Sequence, residues 1–179
     1  VTSFFNEEVD IPGYKPEFVP DSMKLREVAK AISKSKRPLL YIGGGVIHSG
    51  GSDELLEFAR ENRIPVVSTL MGLGAYPPDD SLFLGMLGMH GTYAANMAVT
   101  ECDLLLALGV RFDDRVTGKL ELFSPNSKKV HIDIDSSEFH KNVTVEHPIV
   151  GDVKKALHML LHMSIYTQTD EWLQKVKTW

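Results

Sequence analysis

Two kinds of apolar block alternate along this chain. Short, nearly continuous apolar runs stand at 37–42, 65–69 and 104–108, the pattern of strands buried on both faces of a parallel sheet. Between them lie stretches with helical spacing. Leu25, Val28, Ala29 and Ile32 form one stripe behind Pro20 and Asp21, a residue type suited to the N-cap. Leu55, Leu56 and Ala59 form another behind Ser52, Asp53 and Glu54, whose carboxylates favour a first turn. A helix is expected over 93–100. The last one follows Gly151-Asp152, with Val153, Ala156, Leu157, Leu160 and Leu161 on one face. Shorter strands are expected at 82–85 and 148–150. The run Val130-His-Ile-Asp-Ile-Asp135 alternates, which predicts one partly wet face.

Strands alternating with helices of this length imply βαβ units joined by right-handed crossovers. The expected fold is α/β, a doubly wound, mostly parallel sheet of five to six strands flanked by helices. Residues 1–19, with Pro12, Gly13 and Pro16, read as a linker or arm, 20–163 as the domain, and 164–179 as a polar C-terminal linker with a weak helical signal at 171–176.

Composition narrows the function classes. At 179 residues the chain forms one domain able to bury roughly 70% of its unfolded surface. A net charge of -5, with no basic cluster longer than 34–37, argues against nucleic acid as a partner. No apolar run approaches the ~20 residues a membrane helix needs. The single cysteine, Cys102, excludes an internal disulfide and a zinc site of several thiolates. The chain starts at Val1 without an initiator Met or a signal-peptide pattern, so it reads as a piece of something longer.

The richest stretch is 103–115. Its apolar run ends at Gly109, and Arg111, Asp113, Asp114 and Arg115 follow at once. Ligands of open α/β sheets bind beyond the carboxyl ends of the strands, so this is one candidate wall of a site. The competing reading is a solvated loop in which these charges pair with each other. Gly43-Gly44-Gly45 after the first strand suits a phosphate cradle, or simply a tight strand-to-helix turn. It does not complete the dinucleotide fingerprint: His48 stands where the third glycine belongs, and Ser68 and Thr69 stand where the ribose-binding acid is expected. Gly43 to Gly45, Thr69, Leu70 and Met71, Gly109, Val110 and Arg111, Asp133, and Asp152 all fall at or just past strand ends. Together they describe an adenine-dinucleotide site assembled from loops, without the fingerprint. His158 and His162 have metal-ligand spacing but no third ligand in view. No nucleophile–base pair is recognisable, so neither a catalytic nor a metal residue is assigned.

Several segments resemble the central domain of acetohydroxyacid synthase, also called acetolactate synthase, within the thiamine-diphosphate enzymes. They are Gly-Val-Arg-Phe-Asp-Asp-Arg-Val-Thr-Gly at 109–118, Gly-Met-Leu-Gly-Met-His-Gly-Thr-Tyr-Ala-Ala-Asn at 85–96, His-Ile-Asp-Ile-Asp at 131–135 and Pro-Ile-Val-Gly-Asp at 148–152. Val9-Asp-Ile-Pro-Gly-Tyr14 resembles the linker before that domain. The resemblance implies a Rossmann-like, DHS-like fold of the NAD/FAD-binding type, with FAD extended across the strand ends. The implied contacts are Gly43, Gly44, Gly45, Thr69, Leu70, Met71, Met89, His90, Gly91, Gly109, Val110, Arg111, Arg115, Asp133, Ile134 and Asp152.

It also implies thiamine diphosphate and Mg²⁺ held by other domains, and condensation of two 2-keto acids with loss of CO₂ in branched-chain amino acid biosynthesis. The partners implied are the flanking domains, a homodimer or homotetramer, and a small regulatory subunit; the location is the cytoplasm in a bacterium or an organelle in a eukaryote. The family's Gly-Asp-Gly metal motif is not matched at Gly151-Asp152-Val153, and no Asn-Asn occurs, so the chain alone should not be catalytic. The alternatives are the central domain of a pyruvate oxidase or glyoxylate carboligase type of enzyme, and an NAD-linked enzyme or structural nucleotide-binding module; the missing fingerprint disfavours NAD.

Overall fold

Apolar runs with no polar face must be covered on both sides, and the structure covers them with helices. The computed structural model describes residues 18–179, and the side chains of all of these but Asp114, Arg115 and Glu121. The expected arm therefore lies, up to residue 17, outside the described residues. Six strands form one sheet: β1 (Pro38–Ile42), β2 (Val66–Ser68), β3 (Phe83–Met86), β4 (Leu104–Leu108), β5 (Lys128–Asp133) and β6 (His147–Val150). Their order is β3-β2-β1-β4-β5-β6 and every neighbouring pair is parallel. This is the doubly wound, Rossmann-like arrangement expected from the alternation. The winding reverses between β1 and β4, the central strands, and every residue of both is buried.

The helices are α1 (Ser22–Lys34), α2 (Gly44–Ser49), α3 (Ser52–Asn62), α4 (Tyr93–Glu101), α5 (Asp114–Thr117), α6 (Val153–Leu161) and α7 (Asp170–Val176). Local chemistry sets their starts. The Asp21 carboxylate accepts from the Met23 amide at 2.8 Å, Thr92 Oγ1 from Ala95 at 3.1 Å, and the Asp152 carboxylate from Lys155 at 2.9 Å. The short helix α2 begins inside the glycine triplet, where only a turn is predicted. No helix among the described residues is long and apolar enough to cross a membrane.

Two expectations are corrected. The alternation at 130–135 predicts a partly wet strand face, yet β5 is buried from Lys129 to Ile132 on both sides. Its polar residues are satisfied internally instead: Lys129 Nζ donates to the Ser124 and Ser127 carbonyls at 3.0 Å each, and His131 bonds the Val110 carbonyl at 2.8 Å. The polar composition of 164–179 predicts a linker, whereas the structure docks α7 across the amino edge of the sheet. Trp172, Leu173 and Val176 are buried there, and the Trp172 indole donates to the Pro38 carbonyl at 3.0 Å. Thr167 and Thr169 hydroxyls donate to the Asn62 and Arg63 carbonyls at 2.8 and 2.9 Å. The helical signal at 171–176 is borne out as α7; what the polar composition does not show is that Trp172, Leu173 and Val176 dock on the domain.

Candidate functional site

Because all six strands are parallel, their carboxyl ends share one edge, and that edge gathers most of the residues singled out above. The centre is the switch point between β1 and β4. Here the two loops touch backbone to backbone: a β-carbon on Gly43 would lie 2.3 Å from the Gly109 carbonyl oxygen, and one on Gly45 would lie 2.5 Å from the Gly109 Cα. The Gly43 amide donates to the Leu108 carbonyl at 3.0 Å and the Gly45 amide to the Gly109 carbonyl at 3.1 Å. Two of the three glycines are therefore explained by packing, and their amides are engaged within the fold. Gly44 differs, since a β-carbon there would meet nothing closer than Met71, at 3.4 Å.

Around that centre, several of the apolar side chains named above are exposed. Thr69 caps the 3-10 turn Leu70–Gly72 through its hydroxyl, which accepts from the Gly72 amide at 3.1 Å. The turn lifts Leu70 and Met71 off the sheet, leaving them 68% and 66% exposed. Beyond β3, Met89 and His90 are exposed, whereas Gly91 is a packing glycine whose β-carbon would lie 2.3 Å from the Met86 carbonyl oxygen. Past β5, Ile134 is half exposed. Leu70, Met71, Met89 and Ile134 thus stand exposed on three of the loops that leave this edge.

The polar contribution comes from the loop after β4. Gly109 leaves the strand at φ +58°, Val110 is buried, Arg111 is exposed, and Phe112 is buried again at φ +48°. Arg111 makes no ion pair among the described residues. The side chain of Arg115 lies outside the described residues. Asp133 ends β5 with a half-buried carboxylate that accepts from the Asp135 amide at 2.9 Å, and burial holds its carboxyl above the usual range. Asp152 sits at the same edge beyond β6, but its carboxylate already caps α6.

Beneath the loop lies a group that the sequence reading did not assign. His131 is fully buried, and burial pushes its imidazole down to about 4, so it is neutral at physiological pH. A carbonyl can only accept, so the Nε2 bonded to Val110 carries the hydrogen. Nδ1 is then a bare acceptor, buried without a partner. The His131 ring stands edge-on to Phe112 and Phe139, with centroids 5.0 and 4.9 Å away. Alternation in the strand sequence concealed it; nothing local says that the neighbour across the sheet is a loop carbonyl.

Other candidates carry less. A groove of about 240 Å³ at the opposite, amino edge is lined by Arg60, Arg63, Asp80 and Leu173. Its guanidiniums are already paired, Arg60 with Asp80 at 2.8 Å and Arg63 with Asp170 at 2.6 Å. Cys102 is buried against Ser124, and burial pushes its thiol up to about 11, which keeps it protonated and unreactive.

A family model described as the thiamine pyrophosphate enzyme, central domain, matches residues 25–160. The chain belongs to this family. Its relatives include the probable acetolactate synthase large subunit of Methanocaldococcus jannaschii, 51% identical over 94% of this chain. The acetolactate synthase large subunit of Haemophilus influenzae is 45% identical over 98% of it, and the chloroplastic acetolactate synthase of Arabidopsis thaliana is 55% identical over 86%. The chain spans 29%, 32% and 23% of the lengths of those three proteins. As a thiamine pyrophosphate enzyme central domain, it presents the edge described above with an exposed cation, a half-buried carboxylate and several exposed apolar side chains.

Proposed function

We propose that this chain is the FAD-binding central domain of an acetolactate synthase. The observation that carries the reading is the setting of Arg111, an exposed residue in the loop at the switch point, on the same sheet edge whose other loops expose Leu70, Met71, Met89 and Ile134. A dinucleotide cofactor needs both chemistries, a cation for its pyrophosphate and apolar surface for its rings. The donor set fits FAD in this way: Arg111 meets the pyrophosphate, and the Asp133 carboxylate accepts from a ribose hydroxyl. Leu70, Met71, Met89 and Ile134 cover ring surface, and the open side of Gly44 allows close approach. Gly43, Gly45, Gly109 and Gly91 shape the edge through backbone packing, and Asp152 does so by capping α6. Arg115 and His90 are assigned to the same site by resemblance to the family.

FAD bound here supplies a flavin that undergoes no net redox change in the proposed reaction and orders the carboxyl edge. In that reaction two 2-keto acids, pyruvate with pyruvate or with 2-ketobutyrate, are joined with loss of CO₂. Thiamine diphosphate and Mg²⁺ belong to the flanking domains, which with a second subunit complete the enzyme as a homodimer or homotetramer, joined by a small regulatory subunit. The location is the cytoplasm in a bacterium or an organelle in a eukaryote; the Arabidopsis relative is named chloroplastic.

Purification of the full-length protein tests this. It should carry a yellow chromophore that is released on denaturation and co-elutes with FAD rather than FMN. Loss of the Arg111 partner should cost about 2–5 kcal/mol, a thirty-fold to several thousand-fold weakening, so Arg111→Ala should emerge colourless. A colourless wild type that binds no added FAD refutes the reading.

A further inference from the structure

The loop that carries Arg111 is held far more tightly than a surface loop requires. Its residues alternate in and out: Val110 and Phe112 are buried, while Arg111 and Asp113 are exposed. Its carbonyls are taken up one after another. Gly109 accepts from the Gly45 amide at 3.1 Å, Val110 from His131 Nε2 at 2.8 Å, Phe112 from Asn142 Nδ2 at 3.0 Å, and Asp113 from the Val116 and Thr117 amides at 3.0 Å each. Arg111 lies in the middle of this series.

The sheet register explains how the loop is seated. Tyr41 pairs with Ala107 and Ala107 with His131, so three adjacent strands place a large, a small and a large residue in one row. Ala107 leaves a gap, and Phe112 fills it: its ring lies 5.7 Å from the Tyr41 ring and 5.0 Å from that of His131, edge-on to both. To reach that gap Phe112 adopts φ +48°, a conformation that is strained for any residue with a β-carbon. His131 is likewise a costly choice. Its neighbours Val130 and Ile132 fill the sheet without polar atoms, whereas His131 leaves Nδ1 buried and unpartnered. Strain and an orphaned acceptor persist only where the surroundings impose them, and they concentrate at functional positions.

We propose that His131, Phe112 and Asn142 are positioning residues that clamp the 109–113 backbone and so present Arg111 to the bound anion in one orientation. The inference rests on the reading of this edge as an FAD site. A loop fixed before binding loses less conformational freedom when the ligand arrives, so the clamp acts on affinity through Arg111 and touches no ligand itself.

A double-mutant cycle in the full-length protein, read by flavin fluorescence titration with FAD, tests it. His131→Leu removes the donor and keeps an apolar side chain; His131→Gln retains an amide N–H at the end of the chain; Asn142→Ala releases the Phe112 carbonyl from a less buried position. His131→Leu should weaken FAD about ten-fold to a hundred-fold in the wild-type background but under about three-fold beside Arg111→Ala, because the two act as one unit. His131→Gln should recover most of the affinity. If His131→Leu does not fold, Asn142→Ala carries the same cycle. Equal losses in both backgrounds mean that the clamp is merely structural and overturn the proposal, as do unchanged affinities for both His131→Leu and Asn142→Ala. Equal FAD affinity for Arg111→Ala and wild type overturns instead the reading on which the clamp rests, and the clamp with it.

Discussion

Gly109→Ala and Gly44→Ala should have opposite effects on stability, although both lie at the same edge within a few residues of a strand end. A β-carbon on Gly109 lies 2.5 Å from the Gly45 Cα and 2.9 Å from its carbonyl carbon. Those are backbone atoms of a helix start and cannot swing aside. Forcing them apart is an overpacking cost of about 1–3 kcal/mol. The φ of +58° adds about 1–2 kcal/mol for any residue with a β-carbon, so the sum is roughly 2–5 kcal/mol. At Gly44 the nearest atoms are Met71 Cβ and carbonyl oxygen, both at 3.4 Å, which is ordinary contact. Gly44 opens α2 without a left-handed φ, so alanine fits its backbone and gains up to about 0.4–1 kcal/mol by restricting the unfolded chain. Urea unfolding of the 179-residue chain, followed by the fluorescence of Trp172 and Trp179 at the far edge, should show a much lower midpoint for Gly109→Ala. Gly44→Ala should unfold at or slightly above the wild-type midpoint and lose FAD affinity in the full-length protein. A wild-type midpoint for Gly109→Ala, or equal destabilisation by both changes, would refute the division of these glycines into packing and ligand-facing positions.

Further outcomes follow from other parts of the molecule. Trp172→Ala should cost about 3–5 kcal/mol by emptying a buried site and freeing the Pro38 carbonyl, measurable as a lowered melting temperature. His131 titrates near 4 when folded and 6.5 when unfolded, so only the unfolded chain takes the proton between those values. Its contribution is complete above pH 6.5 and falls as pH drops towards 4, by about 3 kcal/mol in all. His131→Gln should therefore unfold with a flatter pH dependence across that window than wild type, and identical slopes would contradict the neutral, buried imidazole. The chain alone, supplied with thiamine diphosphate, Mg²⁺ and FAD, should form no acetolactate from pyruvate; colorimetric detection of product would contradict the division of labour proposed among the domains.

The fold was legible wherever burial is two-sided. Leu104 to Leu108 is apolar throughout and became β4 at the boundaries read from sequence, and Asp21 and Asp152 cap the helices they precede. Legibility failed where a residue's partner lies across the sheet. His131 looks like the polar member of an alternating strand until Phe112 and the Val110 carbonyl are placed over it. Trp172 looks like an isolated aromatic in a polar tail until the amino edge offers it a carbonyl. The same limit applies to the candidate site: strand ends named its residues, but only the backbone contact at Gly109 separates the packing glycines from Gly44.

Where FAD acts on this domain can be read directly. Hydrogen exchange of the full-length protein, with and without FAD, locates the ligand peptide by peptide. FAD should slow exchange at 43–46, 69–73, 109–113 and 133–135, the carboxyl edge around the switch point. Exchange at 60–63 and 163–176, at the opposite edge, should not change. Protection confined to the amino edge, or none within this domain while FAD binds the protein, would contradict an FAD site at the carboxyl edge.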